Sequence, residues 1–183
     1  MNREIESFFN KLNDVTNNLE NKKQEEEIRI QEKERKIKEL SNRTKKDLDQ
    51  LGVYKIFKKI RNNNILTLEE SYTKYGVGYN YVPCEIEFYH CEDGSYLGKH
   101  GYRLSINRYT TWNDGQAYWS HNSIRVLKDK EENYYVGYKG EDDYLKQKKV
   151  KRNEVLDTLF DVVTLCKTYK EHELKNHLNS FFK

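Results

Sequence analysis

The residues that could bind a metal are five histidines and three cysteines. Four of them fall close together in the order Cys84, His90, Cys91 and His100, with five residues between the first two and eight between the last two. Zinc sites built from paired ligands usually place two to four residues between the members of a pair. His172 and His177 are separated by about 140° around a helix, too far to share an ion. The spacing therefore predicts no metal site.

Covalent or acid–base catalysis would need a nucleophile beside a base, or a pair of carboxylates with a partner. Cys91 could approach His100 or His121 in space, but no local motif brings such groups together. Glu85 and Glu87 share the polar side of a predicted strand, where solvated charge explains them. No glycine-rich phosphate or dinucleotide loop occurs in the chain. We expect a protein that is not an enzyme and that uses no cofactor.

Two basic clusters offer binding chemistry instead. The first lies within residues 43–61 and ends with Lys55, Lys58, Lys59 and Arg61. The second precedes the last predicted helix and comprises Lys146, Lys148, Lys149, Lys151 and Arg152. Clusters of this kind can neutralise phosphates, or pair with an acidic protein. The alternative is that both are solvated charge, and the sequence leaves this open.

Four large aromatic residues surround a predicted turn and could bind a protein partner. They are Tyr109, Trp112, Tyr118 and Trp119. Tyrosine and tryptophan are enriched in the residues that dominate binding energy at interfaces. Some of the four are expected in the core, and Trp112, next to Asp114-Gly115, is the one expected to be exposed.

The first 51 residues predict a long helix. They contain no Gly, Pro, Tyr or Trp, and they are rich in Glu, Lys, Gln and Arg, which favour helices. Apolar residues recur along this segment at the spacing of a coiled-coil seam, at Ile5, Phe8, Phe9, Leu12, Val15 and Leu19. The seam stops over the polar residues 20–27 and resumes intermittently from Ile30. We expect this helix to pair with a second copy, making a homodimer.

Two other structures are compatible with the same segment. The asparagines at 17, 18 and 21 could break the helix into a short hairpin, and the whole segment could be a solvated spacer. Pairing is favoured because Phe8 and Phe9 would otherwise remain exposed to water. Gly52 is expected to end the helix. A short helix over residues 52–64 is expected to dock on the next domain through the apolar face Val53, Ile56, Phe57 and Ile60.

The middle of the chain predicts an antiparallel sheet. Eight of nine glycines and thirteen of fifteen tyrosines lie between positions 72 and 144, which is typical of strands joined by turns. Alternating apolar residues predict strands at 84–90, 101–109, 116–120, 123–128 and 134–138, with a break at His121-Asn122. Asp93-Gly94 and Asp114-Gly115 are turn signals. About five strands and one polar face are therefore expected over residues 65–150.

A final helix is predicted over residues 151–183, capped by Asn153. Val155, Leu159, Val162, Cys166 and Tyr169 form one apolar stripe that should cover the sheet. The tail continues with Leu174, Leu178, Phe181 and Phe182, either as core or as a contact surface. The expected fold class is α+β, with a coiled-coil helix over residues 1–51, an antiparallel sheet of about five strands and a C-terminal helix packed on that sheet.

Composition limits the remaining possibilities. No run of about 18 apolar residues occurs, the first residues do not resemble a signal peptide, and the cysteines show no disulfide pattern, so we expect a cytoplasmic protein. The net charge of +3 alone does not indicate nucleic-acid binding.

The layout of a charged N-terminal helix, a small sheet and a closing helix, with a bias toward Asn, Lys, Glu and Tyr, supports a resemblance. It resembles that of small phage-encoded inhibitors of bacterial defence nucleases, including anti-CRISPR proteins. The resemblance covers layout only and carries over no residue. It implies a non-enzymatic inhibitor of a nucleic-acid-handling host protein such as a CRISPR nuclease. The alternative hypothesis is a direct DNA- or RNA-binding protein.

Overall fold

The computed structural model describes residues 2–66, 71–73, 76–78, 84–90, 98–111, 117–140, 145–169 and 171–183. The helices are α1 (Asn2–Gln50), α2 (Val53–Asn62), α3 (Val155–Thr168) and α4 (Glu171–Phe181). The strands are β1 (Ser71–Thr73), β2 (Gly76–Gly78), β3 (Cys84–His90), β4 (His100–Thr111), β5 (Ala117–Lys128), β6 (Tyr134–Lys139) and β7 (Leu145–Val150). The α+β fold class predicted from the sequence is confirmed. None of the described helices is long and apolar enough to cross a membrane.

Helix α1 is continuous, so the asparagines at 17, 18 and 21 do not form a hairpin. Ion pairs one turn apart support it at Arg29–Glu26 (3.5 Å) and Arg35–Glu39 (3.9 Å), although such exposed pairs contribute little. The chain divides into two compact units, one up to Leu40 and one from Ser41 to Lys183. The last turns of α1 therefore belong to the same unit as the sheet. This unit begins at Ser41, within the segment predicted as a separate coiled-coil helix.

Gly52 separates α1 from α2, as expected. Its φ of 85° is left-handed, a conformation that glycine adopts without the steric cost of a Cβ atom. Helix α2 then buries Val53, Phe57 and Ile60 against the sheet and leaves its lysines exposed. Of the four residues predicted for this apolar face, these three are buried and Ile56 is partly buried.

The main sheet has five antiparallel strands in the order β3-β4-β5-β6-β7, each paired with its neighbour in sequence. The number agrees with the prediction, but two strands differ. The break expected at His121-Asn122 is wrong, because β5 is one strand of 12 residues that pairs with β4 along its whole length. Residues 145–150, predicted only as a run of charge, form strand β7. A second, two-stranded sheet joins β1 and β2. The predicted turns Asp93-Gly94 and Asp114-Gly115 lie outside the described residues.

One face of the main sheet forms the core. Tyr102, Leu104 and Ile106 alternate along β4, and Leu104 pairs with Ile124 of β5. All four are buried in one cluster with residues of α2, α3 and α4. The other face is more polar, as expected, yet it fully buries Leu127 between the partly buried Tyr89 and Tyr135.

The C-terminal segment forms two helices where one was predicted. Tyr169 is extended (φ −110°, ψ 143°), and this interrupts the helix between α3 and α4. The predicted cap at Asn153 is wrong, because residues 152–154 form a 3-10 turn in which Glu154 accepts the Lys151 backbone N–H at 2.9 Å. The predicted stripe on α3 is buried as far as Cys166. In α4, Leu174 and Leu178 are core, with Phe181 and Phe182 packed against it.

Candidate interaction surfaces

The first unit exposes a stripe of large apolar side chains. Its members are Ile5, Phe8, Phe9, Leu12, Val15 and Leu19, and each is 49–63% exposed. At about 100° per residue, the six fall within an arc of about 120°, and five of them follow the three–four spacing of a coiled-coil seam. A solvated helix that faces only water would have no physical reason to align them.

In the second unit, a half-buried carboxylate near the end of α1 bonds to the sheet. Asp47 accepts hydrogen bonds from Lys128 Nζ (2.8 Å), Tyr134 Oη and Arg152 Nη2 (3.1 Å). Burial alone would raise the pKa of Asp47, but these donors outweigh it and hold the pKa below its usual value. One side chain therefore ties α1 to β5, to β6 and to the turn before α3.

The same ion-pair network extends to the turn between β5 and β6. Lys128 also pairs with Glu132, and Glu132 accepts from Arg43 Nη2 at 3.0 Å. Burial would lower the pKa of Lys128, but its two carboxylate partners outweigh this and raise the pKa above its ordinary value. The network is structural in character, since every charged group in it contacts an oppositely charged group of the fold.

The first basic cluster lies on α2. Lys55, Lys58, Lys59 and Arg61 are all exposed, and α2 has no acidic residue in its first turn. No described carboxylate lies within salt-bridge distance of these four. They are available to an anionic partner.

The structure divides the second basic cluster. Lys146 and Lys148 stand opposite Tyr138 and Val136 on the core side of the sheet, while Lys149 lies on the other side. Lys148 Nζ is 5.4 Å from the Phe181 ring centroid. Arg152 is held by Asp47, and Lys151 is exposed at the 3-10 turn. These five cations therefore do not form one surface.

The aromatic residues predicted to bind a partner lie where β4 and β5 meet. Tyr109 pairs with Trp119 in the ladder, and Thr110 pairs with Tyr118. Trp112 lies outside the described residues. The backbone register thus brings three of the four predicted residues to the same end of one hairpin.

Across the described residues, no group of three or more His, Cys, Asp or Glu could hold a metal ion. His90 and His100 are paired across β3 and β4 with their rings stacked 4.2 Å apart. Burial, with the neighbouring His90, lowers the pKa of His100 to about 4, so its ring is neutral at pH 7. Cys166 is a buried thiol, and Cys91 lies outside the described residues.

A cleft of about 420 Å³ opens between the end of α1, the start of α2 and the strands β3 and β4. Its lining comprises Lys45, Asp49, Tyr54, Lys55, Ile86, Phe88 and Tyr102. Of these seven residues, Lys55 alone was predicted from the sequence to bind a partner. Lys45 and Asp49 are four residues apart and therefore lie on the same side of α1. This spacing is the feature of the α1 sequence that points to the site.

A second concavity is apolar and lies between α2 and α3. It measures about 450 Å³ and is lined mainly by Ile56, Ile60, Ile65, Leu156 and Val163. Phe160 stands at this groove and is 70% exposed, the most exposed large apolar side chain among the described residues.

Comparison with known proteins adds no residue assignment to these surfaces. No family model matches the chain, and no curated protein or solved structure matches it significantly. Function must be inferred from the stripe on α1, the cations of α2, the β4–β5 hairpin and the cleft.

Proposed function

We propose that the protein is a non-enzymatic binding protein that acts as a homodimer, paired through the apolar stripe of α1. The observation that carries this proposal is the exposure of six large apolar side chains on one side of a single helix. Burying such a side chain contributes about 1.5–3 kcal/mol, and a seam of five in each of two helices can offset the cost of association. Paired helices would bury Ile5, Leu12 and Leu19 of one copy against those of the other.

Light scattering tests the pairing. The full chain should have the mass of a dimer at about 100 µM, a concentration at which micromolar affinity saturates. Phe8→Glu with Leu12→Glu should give a monomer, because glutamates at seam positions would be desolvated and face one another. A monomeric wild type, or a variant that stays dimeric, would exclude this mode of association.

Two controls separate the stripe from other causes. Asn10→Glu with Asn17→Glu adds the same charge on the opposite side of α1 and should leave the dimer intact. Phe160→Glu removes the most exposed apolar ring among the described residues of the second unit and should also leave the dimer intact. Loss of the dimer in the Phe160 variant would instead place the contact at the groove between α2 and α3.

For the partner, we propose a nucleic-acid-handling protein such as a CRISPR nuclease. Support comes from the layout that resembles phage-encoded inhibitors, and from the hairpin that gathers Tyr109, Tyr118 and Trp119. The test adds the protein to RNA-guided nucleases and measures cleavage of target DNA. Inhibition should weaken in a Trp112→Ala variant with unchanged circular dichroism. Unaltered cleavage at saturating protein would argue against this class of partner.

Direct binding of DNA or RNA is the second candidate, and the exposed cations of α2 favour it. Affinity in gel shifts should then fall steeply with salt, because each phosphate contact releases counterions. Lys58→Ala with Lys59→Ala should weaken binding and reduce the salt dependence. The matched control, Lys22→Ala with Lys23→Ala, removes the same charge from the first unit. Absence of binding at low salt would eliminate this candidate.

A further inference from the structure

We propose that the cleft between α1, α2, β3 and β4 is a binding site for a nucleotide, meaning a planar base that carries a phosphate. All of its lining residues belong to the second unit, so this site does not depend on pairing of the N-terminal helix. At about 420 Å³, the cleft falls within the range typical of small-molecule sites, roughly 300–1,000 Å³.

Aromatic rings form one side of the cleft. The Tyr54 and Tyr102 ring centroids are 5.6 Å apart, and those of Phe88 and Tyr102 are 5.1 Å apart. Tyr102 is almost fully buried, whereas Tyr54 lines the cleft and is 40% exposed. Stacking of a base on such a ring strengthens binding and does not require a particular base.

Two lysines supply the positive charge that a phosphate needs. Lys45 and Lys55 are exposed, and no described carboxylate lies within salt-bridge distance of either. Lys45 Nζ is 5.8 Å from the Phe88 ring centroid, so its ammonium lies beside the aromatic wall. Two ammonium groups and the Asp49 carboxylate give the cleft a net charge of +1, which favours an anion.

Asp49 gives the cleft a means of choosing between bases. Its Oδ1 accepts the Tyr102 hydroxyl at 2.6 Å, which fixes the carboxylate at the cleft wall. Among the described residues, nothing hydrogen-bonds the second oxygen, Oδ2. A carboxylate only accepts hydrogen bonds, so it suits a base with an exocyclic amino group. Adenine should therefore bind better than uracil.

Calorimetry with single ligands tests the site in the full-length protein. AMP should bind with a sub-millimolar Kd, adenosine and inorganic phosphate should each bind at least about tenfold more weakly, and UMP should bind less tightly than AMP. If AMP releases no heat at about 5 mM, or if phosphate alone binds as tightly as AMP, the proposal is overturned.

Variants locate the binding. Lys45→Ala with Lys55→Ala should raise the Kd for AMP at least about tenfold. Tyr54→Ala should raise it at least about fivefold. The matched control is Lys149→Ala with Lys151→Ala, which removes equal charge outside the cleft and should not change the Kd. Equal binding by the cleft variants and wild type would place the ligand elsewhere and overturn the assignment.

Asp49→Asn provides a readout that a structural role would not produce. The asparagine Oδ1 can still accept the Tyr102 hydroxyl, while its amide now donates hydrogen bonds into the cleft. The preference should move from AMP toward UMP, whose carbonyl oxygens accept them. An unchanged AMP-to-UMP ratio would refute the role of Asp49.

The nucleotide could be free or part of a strand, and the two sources can be distinguished. A single-stranded oligonucleotide of about four adenine nucleotides is the second probe. Tighter binding of the strand than of AMP, lost in the Tyr54→Ala variant, identifies single-stranded nucleic acid as the source. Equal binding per site identifies the free nucleotide, and failure of both probes contradicts the site while leaving helix pairing untouched.

Discussion

Asp47 joins the end of α1 to the sheet and to the turn before α3. Its carboxylate is only 17% exposed and holds Lys128, whose side chain is 4% exposed. Asp47 and Glu132 are the two carboxylate partners of Lys128, and loss of one leaves the nearly buried ammonium only partly compensated, because water cannot replace the lost partner. Neutralising Asp47 therefore also makes the position of the Lys128 ammonium on β5 less favourable.

Asp47→Asn should reduce the free energy of unfolding by about 2–4 kcal/mol at pH 7, measured by denaturant titration. The folded pKa of Asp47 lies below its unfolded value, so its contribution is present above about pH 4 and is lost as the pH falls through the folded pKa. The difference between wild type and variant should shrink in that range. The exposed Asp161→Asn is the control, and an equal loss there would contradict the assignment.

His100 makes stability depend on pH in a higher range. Its folded pKa of about 4 lies below the ordinary value of 6.5, so the unfolded chain takes up the proton first. Stability is therefore fully present above pH 6.5 and is lost as the pH falls toward 4, by about 3 kcal/mol. His100→Phe, which keeps a ring beside His90, should remove this dependence. If the free energy of unfolding changes with pH in the same way in wild type and variant, His100 is not the source of the dependence.

At the scale of elements, β4 and β5 approach too closely for any side chain at Gly101. A Cβ atom there would lie 2.1 Å from the Val126 carbonyl oxygen and 2.8 Å from the Leu127 Cα. Both are backbone atoms in the centre of the sheet, so they cannot move aside as a flexible side chain would. The pairing of the two longest strands thus requires glycine at this position.

Gly101→Ala should reduce the free energy of unfolding by at least about 3 kcal/mol, or prevent folding. Gly52→Ala is the matched comparison, since a Cβ at Gly52 would meet nothing within 4 Å and only the φ of 85° opposes it. That variant should lose about 1–2 kcal/mol. Thermal unfolding followed by circular dichroism ranks the two, and the reverse order would show that close packing at Gly101 is not decisive.

At the scale of the whole molecule, the boundary between the units lies inside α1. Thr44 and Leu48 are buried, and Asp47 and Asp49 bond residues of the sheet. No described residue before Thr44 is classed as buried. Residues 41–50 are thus part of the sheet unit although they continue the N-terminal helix.

Two truncations check this boundary. A chain starting at Ser41 should keep the cooperative unfolding and the Tm of the second unit, because it retains Leu48 and Asp47. A chain starting at Leu51 should lose more than about 4 kcal/mol, since it lacks a core leucine and the partner of Lys128. Equal melting temperatures for the two would show that the end of α1 does not stabilise the sheet.

The sequence by itself determined the elements whose signal is local. Composition identified α1, Gly52 marked its end, and alternation assigned β3 and β4. Periodicity predicted the buried faces of α2 and α3. These succeed because helix propensity and side-chain alternation depend on residues a few positions apart.

Only the tertiary structure decided the rest. The hydrogen-bond partners of Asp47 lie 81, 87 and 105 positions away, at Lys128, Tyr134 and Arg152. Strand β7 is rich in lysine, a residue with low strand propensity, and it is a strand because it pairs with β6. It lies at the edge of the sheet, where its charges prevent pairing with another strand. The cleft takes its residues from four elements, and no window of sequence contains them. Binding sites of this kind arise from contacts between distant segments, which local patterns do not encode.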